Sequence, residues 1–200
     1  MKHCAVSIVS KEQAVLVAID PPGTLGSNEV RGRTVCTLIS PGTELACNYT
    51  GTSFPACPGY AAVFVAEEVG TDVTGIGNGD LCFCMGPHRS FQQVEFRAVH
   101  PVPGVLLPET AVLARLMGVS MTTLMTTAAR PGERVMVTGA GPVGCLAAQI
   151  FVLSGYEVLV VEPDETRRRY AEQSGAACVY VEVPVDNSGI AGTIALVAEC

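Results

Sequence analysis

The chain has 200 residues, among them 21 glycines, 13 prolines and 9 cysteines, and a formal net charge of −7. Its 48% hydrophobic and 16% charged residues supply enough apolar side chain to offset ordering entropy, which excludes a disordered chain. The acidic balance argues against a nucleic-acid partner, since phosphates are held by Lys and Arg.

The length allows one large domain or two small ones. An odd number of cysteines with no secretory leader ahead of them points to reduced thiols and a cytoplasmic protein, not to a disulfide framework. The histidines are His3, His88 and His100, so any metal site would have to lean on cysteine.

Residues 1–108 read as β structure. Apolar, β-branched runs at Ala14–Ile19, Val35–Ile39, Ala61–Val65 and Leu81–Cys84 are separated by turn signals at Pro21–Gly23, Pro41–Gly42, Gly75–Gly79 and Gly86–Pro87. Short strands at this spacing predict a small barrel or sandwich. The pattern changes at Pro108, where helix formers and threonines run to Ala129 with Glu109 in the first turn, and Pro131–Gly132 closes the segment. A linking helix is therefore expected within 109–130.

From Arg134 the pattern changes again. Val135–Val137 reads as a buried strand, followed by a Gly-rich turn and an apolar helix to about Leu153. The uncharged run between Arg134 and Glu157 is long enough to span a bilayer by count. Its Gly139, Gly141, Pro142, Gly144 and Gly155 instead make it a strand, turn and helix, so no membrane is expected. Glu157–Val161 is the next strand, Asp164 an N-cap, Gly175 the residue after a helix, Cys178–Val181 a third strand and Ile194–Val197 the start of a fourth. Alternating strands and helices predict a parallel α/β sheet over 131–200.

The most specific feature is Gly139–Ala140–Gly141–Pro142–Val143–Gly144, placed after a strand and before a helix. Gly139 suits a tight turn, Gly141 lets the backbone approach a pyrophosphate, and Gly144 allows close helix–strand packing. Phosphates would then sit on unpaired amides at the helix N-terminus. Glu162 ends the next strand, where a carboxylate accepts from adenosine ribose hydroxyls and repels a 2′-phosphate. NAD is therefore expected in preference to NADP. Arg167, Arg168 and Arg169 stand nearby, as arginines that accommodate a 2′-phosphate or as a solvated helix face.

With these parts in view, the chain resembles the medium-chain dehydrogenase/reductase superfamily, alcohol dehydrogenase-like proteins. The resemblance rests on Ser40–Pro41–Gly42–Thr43–Glu44, on Gly70–Asp80 and on Pro131–Gly144. It implies a GroES-like β-barrel catalytic domain followed by a Rossmann doubly wound parallel sheet, here α/β plus β. It also implies hydride transfer between nicotinamide and an alcohol/ketone or enone substrate. Zinc-dependent members carry a cysteine where this chain has Pro41, and a Gly-His-Glu stretch where it has Gly59–Tyr60–Ala61. The chain is therefore read as a zinc-free branch with no metal site. Cys82 and Cys84 are expected on opposite faces of their strand, a poor geometry for one ion.

Three catalytic candidates stand out, of which Thr43 and Tyr60 follow from the resemblance and His88 from its place after a strand. Thr43 matches a hydroxyl relay, or caps a turn. Tyr60 stands where a metal ligand would and could donate a proton, or simply fills that space. His88 is an acid/base candidate, or a satisfied loop histidine. Arg167 matches a basic residue at the adenosine ribose. Ser120, Thr122 and Thr123 lie where hydroxyls approach the nicotinamide, or pack the helix; Thr122 is taken as cofactor-binding. A small-molecule substrate is expected, and a homodimer is a candidate assembly of a full-length form. The complete sheet of this class has six strands. Residues 131–200 supply its first half, so the chain is expected to be an amino-terminal fragment with an exposed sheet edge. The rival reading is a non-catalytic nucleotide-binding protein or inactive truncated product.

Overall fold

The computed structural model describes residues 3–200, and the chain divides into two units, Met1–Arg115 and Leu116–Cys200. The first unit opens with a hairpin of β1 (Cys4–Ser10) and β2 (Gln13–Ala18), followed by β3 (Glu29–Leu38). A short helix α1 (Pro41–Glu44) widens into a π turn over Leu45–Tyr49, and β4 (Ala61–Val69), β5 (Leu81–Cys84), β6 (Phe91–Glu95) and β7 (Val99–Pro101) complete the β structure. β3 to β7 form a five-stranded antiparallel sheet in the order β6-β3-β4-β5-β7. The hairpin meets the rest of the unit through the isolated bridges Ala5–Arg89 and Ile8–Ala56.

The core of this unit is the inward face of three neighbouring strands, where Val30, Ala62, Phe64, Ala66, Cys82 and Cys84 pack with Val99. Cys82 and Cys84 therefore share one face, which corrects the expectation that they point apart: side chains two apart on a strand face the same way. Burial in this apolar layer pushes their thiols up, to about 11 and about 12. They behave as small core hydrophobes.

Two further expectations change. β3 begins at Glu29 and not at Val35, because the charges in its first half are paired across the sheet. Arg31 donates from Nε and Nη2 to Glu68 at 3.0 and 2.7 Å. The single helix expected from Pro108 to Ala129 is two helices, α2 (Pro108–Ala111) and α3 (Ala114–Thr126). The Leu113 amide bonds the Thr110 carbonyl at 3.1 Å, a tightened turn between them.

The second unit contains β8 (Arg134–Thr138), α4 (Pro142–Leu153), β9 (Glu157–Val161), α5 (Glu165–Gln173), β10 (Cys178–Tyr180) and β11 (Ile194–Glu199). Its strands are parallel, in the order β10-β9-β8-β11. A sheet with connections on both faces is buried on both faces, so its strands read as unbroken apolar runs. Val135, Val137, Val158 and Val160 pack with Ala148 and Phe151 on one side. Met136, Leu159 and Val161 form the other.

Asp164 caps α5 as expected, its side chain accepting from the Arg167 amide at 2.9 Å. Gly175 follows the helix at φ +85°. An Asp164→Ala chain should lose about 1 kcal/mol of stability, read as a fall of roughly 2–4 °C in the thermal unfolding midpoint followed by circular dichroism. An unchanged midpoint would remove the cap from the argument. Among the described residues, no helix is long and apolar enough to cross a membrane.

Candidate functional site

The Gly-rich turn joins β8 to α4. Gly139 stands at φ +91°, a left-handed conformation that only glycine adopts without strain, and its amide bonds the Val161 carbonyl at 2.8 Å. A Cβ on Gly144 would lie 1.9 Å from the Gly139 carbonyl oxygen, so helix and turn touch backbone to backbone. Gly141 is different: a Cβ there would meet nothing within 4 Å.

Gly141 is also the N-cap of α4, and Pro142 follows it at the first helical position, where a missing amide removes no helical bond. The first bond of the helix runs from the Cys145 amide to the Gly141 carbonyl at 2.9 Å. The Val143 and Gly144 amides precede that ladder, at the positive end of the helix dipole.

Glu162 lies beside this turn and is 3% exposed. Its Oε2 accepts from the Ala140 amide at 2.7 Å and its Oε1 from the Asp164 amide at 2.9 Å. The Asp164 amide holds its carboxyl below the usual carboxylate range, assisted by the Ala140 amide and the Arg167 charge and opposed by burial. The acid therefore braces the turn as well as facing it. Each carboxylate oxygen keeps a second lone pair, so the brace leaves acceptor capacity.

The three arginines separate. Arg167 Nη1 lies 4.0 Å from Glu162 Oε2 with its side chain 61% exposed. Arg168 donates to the Glu162 carbonyl at 3.0 Å, and Arg169 pairs with Glu165 one helical turn away. On α3 it is Ser120 that reaches the turn, donating to the Val143 carbonyl at 3.2 Å. The Thr122 hydroxyl is turned back to the Gly118 carbonyl of its own helix at 3.0 Å.

In the first unit, the catalytic candidates fall in different surroundings. Thr43 is exposed and accepts from the Ser40 hydroxyl at 3.2 Å. Tyr60 is partly buried, with the Arg115 guanidinium 4.5 Å from its ring centroid, a cation–π contact. His88 is bonded at both ring nitrogens, Nδ1 to Thr37 Oγ1 at 2.7 Å and Nε2 to Glu44 Oε2 at 3.0 Å. His88, Thr37 and Glu44 border a cavity of about 470 Å³, whose lining includes neither Thr43 nor Tyr60. Sequence reading passed over Thr37 and Glu44; the signal available for Glu44 was an acid directly after Thr43 in a turn motif already singled out.

No family model matches the chain. It is similar to 2-dehydro-3-deoxy-L-galactonate 5-dehydrogenase of Pseudoalteromonas atlantica, 30% identical over 94 residues, 47% of this chain and 28% of that protein. It is similar also to L-threonine 3-dehydrogenase of Pyrococcus furiosus, 39% identical over 94 residues, 46% of this chain and 26% of that protein. The matched stretches thus span under a third of each relative. Among solved structures, an Escherichia coli alcohol dehydrogenase complexed with NADH superimposes with a TM-score of 0.83 at 17% identity, covering 100% of this chain and 70% of that one. The chain therefore has the fold of the alcohol dehydrogenases, a GroES-like β unit followed by a Rossmann-type parallel sheet.

Proposed function

We propose that the chain belongs to an oxidoreductase that moves hydride between a nicotinamide cofactor and an alcohol/ketone or enone substrate, with NAD preferred. The observation that carries this is the turn at Gly139–Gly144. It leaves open space at Gly141, beside the amide-bearing end of α4, with a buried carboxylate bracing its other side. That is the cradle a dinucleotide needs, and the dehydrogenase relatives support the reaction class.

The residues of the turn fit the group. The Gly141, Val143 and Gly144 amides would hold the pyrophosphate, with Pro142 setting the helix start. Glu162 and Arg167 would meet the adenosine ribose; Thr122 on α3, whose hydroxyl hydrogen is given to Gly118, would offer the nicotinamide side only an acceptor. When bound, the nicotinamide supplies the hydride donor or acceptor.

We read the chemistry as independent of zinc. Pro41 offers no donor atom, Tyr60 lies under the Arg115 guanidinium, and both His88 nitrogens are engaged. A three-ligand catalytic zinc site does not fit that donor set. The substrate oxygen would then be polarised by hydrogen bonds from this chain, with Thr43, Tyr60 and the His88 network as the candidates.

The test is calorimetric titration of the full chain with NADH, followed by absorbance assays against a panel of alcohols, ketones and enones with and without chelator. Saturable binding and chelator-insensitive turnover are expected. Binding without any turnover would favour a non-catalytic nucleotide-binding protein, and no heat at high NADH would overturn the reading.

A further inference from the structure

Arg89 is a half-buried cation with no anion beside it. Its Nε donates to Gln92 Oε1 at 3.3 Å, and its guanidinium lies 5.3 Å from the Phe91 ring centroid. Burial pulls its pKa below the ordinary arginine value. Among the described residues, no ion pair includes Arg89, and its η nitrogens, which carry most of the guanidinium hydrogens, have no acceptor. A partly desolvated charge is costly unless it is paired. This one is held by neutral partners alone, in a chain whose acidic residues outnumber its basic ones by 19 to 12.

The head is nevertheless well anchored. Backbone bonds stitch its segment to both sides: the His88 carbonyl accepts from the Val6 amide at 2.8 Å and the Ser90 carbonyl from the Thr34 amide at 3.0 Å. Ala5 and Arg89 form a β bridge. Gln92 is fully buried. While its Oε1 takes the Arg89 bond, its Nε2 donates to Thr34 Oγ1 at 3.2 Å and to the Pro87 carbonyl at 3.1 Å. An arginine fixed in this way has little side-chain freedom left to lose on binding.

Arg89 borders a second cavity of the first unit, of about 280 Å³. Among the described residues, no Asp or Glu lines it, and Ala5, Val6, Leu16 and Val35 give it an apolar wall. Thr34 and Ser90 also border it. Their hydroxyl oxygens accept from Gln92 and from the Cys4 amide, and neither hydroxyl hydrogen has an acceptor among the described residues. The nearest acid of the His88 row, Glu44, is occupied by His88 Nε2 and by the Ser40 amide.

We propose that this cavity binds a small monocarboxylate with a short apolar tail, its two oxygens on the η nitrogens of Arg89 and its tail against Leu16 and Val35. The planar guanidinium fork matches a carboxylate through two parallel bonds. One cation balances one negative charge, whereas a phosphate dianion would leave one unbalanced beside an apolar wall. The site goes beyond the oxidoreductase reading and needs no nicotinamide.

The experiment titrates the full chain, without cofactor and at constant ionic strength, with butyrate and separately with butyramide and inorganic phosphate. The Gln92 side-chain amide signals are followed by NMR. Saturable shifts with butyrate are expected, at an affinity about tenfold or more above those for butyramide, which has the same shape without the charge, and for phosphate. Arg89→Met should weaken butyrate binding by about the same factor. Leu16→Glu, at a position 71% exposed on the cavity wall, sets a carboxylate against the ligand. It should also weaken butyrate binding about tenfold while keeping the parent melting temperature, so the test survives an Arg89→Met chain that does not fold.

No saturable shift with butyrate, equal affinity for butyrate and butyramide, phosphate bound more tightly than butyrate, or undiminished binding by the Leu16→Glu chain would each overturn the inference. NADH is then titrated into the butyrate-loaded chain. NADH binding without loss of butyrate supports a separate site. Displacement of butyrate by NADH would overturn it, because the anion held by Arg89 would then be the cofactor's phosphate. Absence of NADH binding with butyrate bound supports this site and overturns the nicotinamide reading alone.

Discussion

A Gly144→Ala chain is expected to unfold at least about 6 °C below its parent, whereas Gly141→Ala should melt at or slightly above the parent and yet bind NADH at least tenfold more weakly. The two substitutions add the same methyl group to one turn, and the difference lies in what that methyl meets. At Gly144 it would stand 1.9 Å from the Gly139 carbonyl oxygen and 2.9 Å from its carbon. Both are backbone atoms of a residue pinned by its bond to Val161 and by its own left-handed conformation. Nothing there can yield cheaply. Overpacking against yielding side chains costs about 1–3 kcal/mol, and a clash with fixed backbone belongs at or above the top of that range. At Gly141 the backbone is φ −68°, ψ −177°, extended geometry that alanine adopts freely, and no atom lies within 4 Å. Alanine there costs the fold nothing and restricts the unfolded chain, worth about 0.4–1 kcal/mol in its favour. The methyl would occupy the space assigned to the pyrophosphate. Circular dichroism melts and NADH titrations on both chains separate the two roles. Unchanged NADH affinity in Gly141→Ala would remove the open space at Gly141 as an argument for a dinucleotide.

That contrast also shows why the second unit was so legible in the sequence. Its strands are buried on both faces, so the runs Val135–Val137 and Glu157–Val161 announce themselves without any knowledge of partners. The strand Glu157–Val161 and the cap at Asp164 coincide with the structure residue for residue. The first unit hid more. β6 reads as polar because of Gln92 and Gln93, yet Gln92 is 0% exposed. Its amide donates to Thr34 Oγ1 at 3.2 Å and to the Pro87 carbonyl at 3.1 Å, so a buried polar residue stands where a strand pattern calls for an apolar one. The start of β3 was hidden by charges that the sheet pairs across strands, with Arg31 on Glu68. Such pairing is a property of the register and cannot be read from either strand alone.

The candidate site divides in the same way. The Gly-rich turn is contiguous, and each glycine carries a local reason that sequence context exposes. The row of Thr37, His88 and Glu44 is not contiguous. His88 and Glu44 are 44 positions apart and His88 and Thr37 are 51 apart, and what joins them is the packing of the first unit. Reading His88 alone yields a free acid/base candidate. Reading it with its two partners yields a ring whose nitrogens are both engaged. Thr122 illustrates the converse. Its place on the helix was read correctly, but a threonine in a helix interior readily bonds the carbonyl four residues back, and it is the buried Ser120 that reaches the turn.

Glu162 carries the largest expected effect on cofactor choice. The parent chain should bind NADH more than tenfold more tightly than NADPH, and Glu162→Gln should bring the two within a few-fold. A 2′-phosphate about 4 Å from this carboxylate meets a like-charge repulsion of about 4 kcal/mol at an effective dielectric of about 20. Halving that for solvent still leaves more than the roughly 1.4 kcal/mol that makes a tenfold difference. Of the three arginines nearby, only Arg167 keeps its head by the carboxylate, and it is 61% exposed; Arg168 and Arg169 are engaged elsewhere. The same substitution should weaken the fold. The carboxylate accepts one backbone amide on each oxygen, and a glutamine side chain offers one oxygen and one amine, which leaves a buried amide facing a donor at about 1–3 kcal/mol. Because the folded carboxyl titrates below its usual range, that stability is fully present above the ordinary carboxylate pKa of about 4.3 and is lost as pH falls through the folded value. The gap in unfolding free energy between parent and Glu162→Gln should therefore be widest near neutral pH and close on acidification. Urea unfolding at a series of pH values measures it. A gap that stayed constant into the acid range would show that the carboxylate does not brace the turn, and equal NADH and NADPH affinity in the parent would show that it does not select the cofactor.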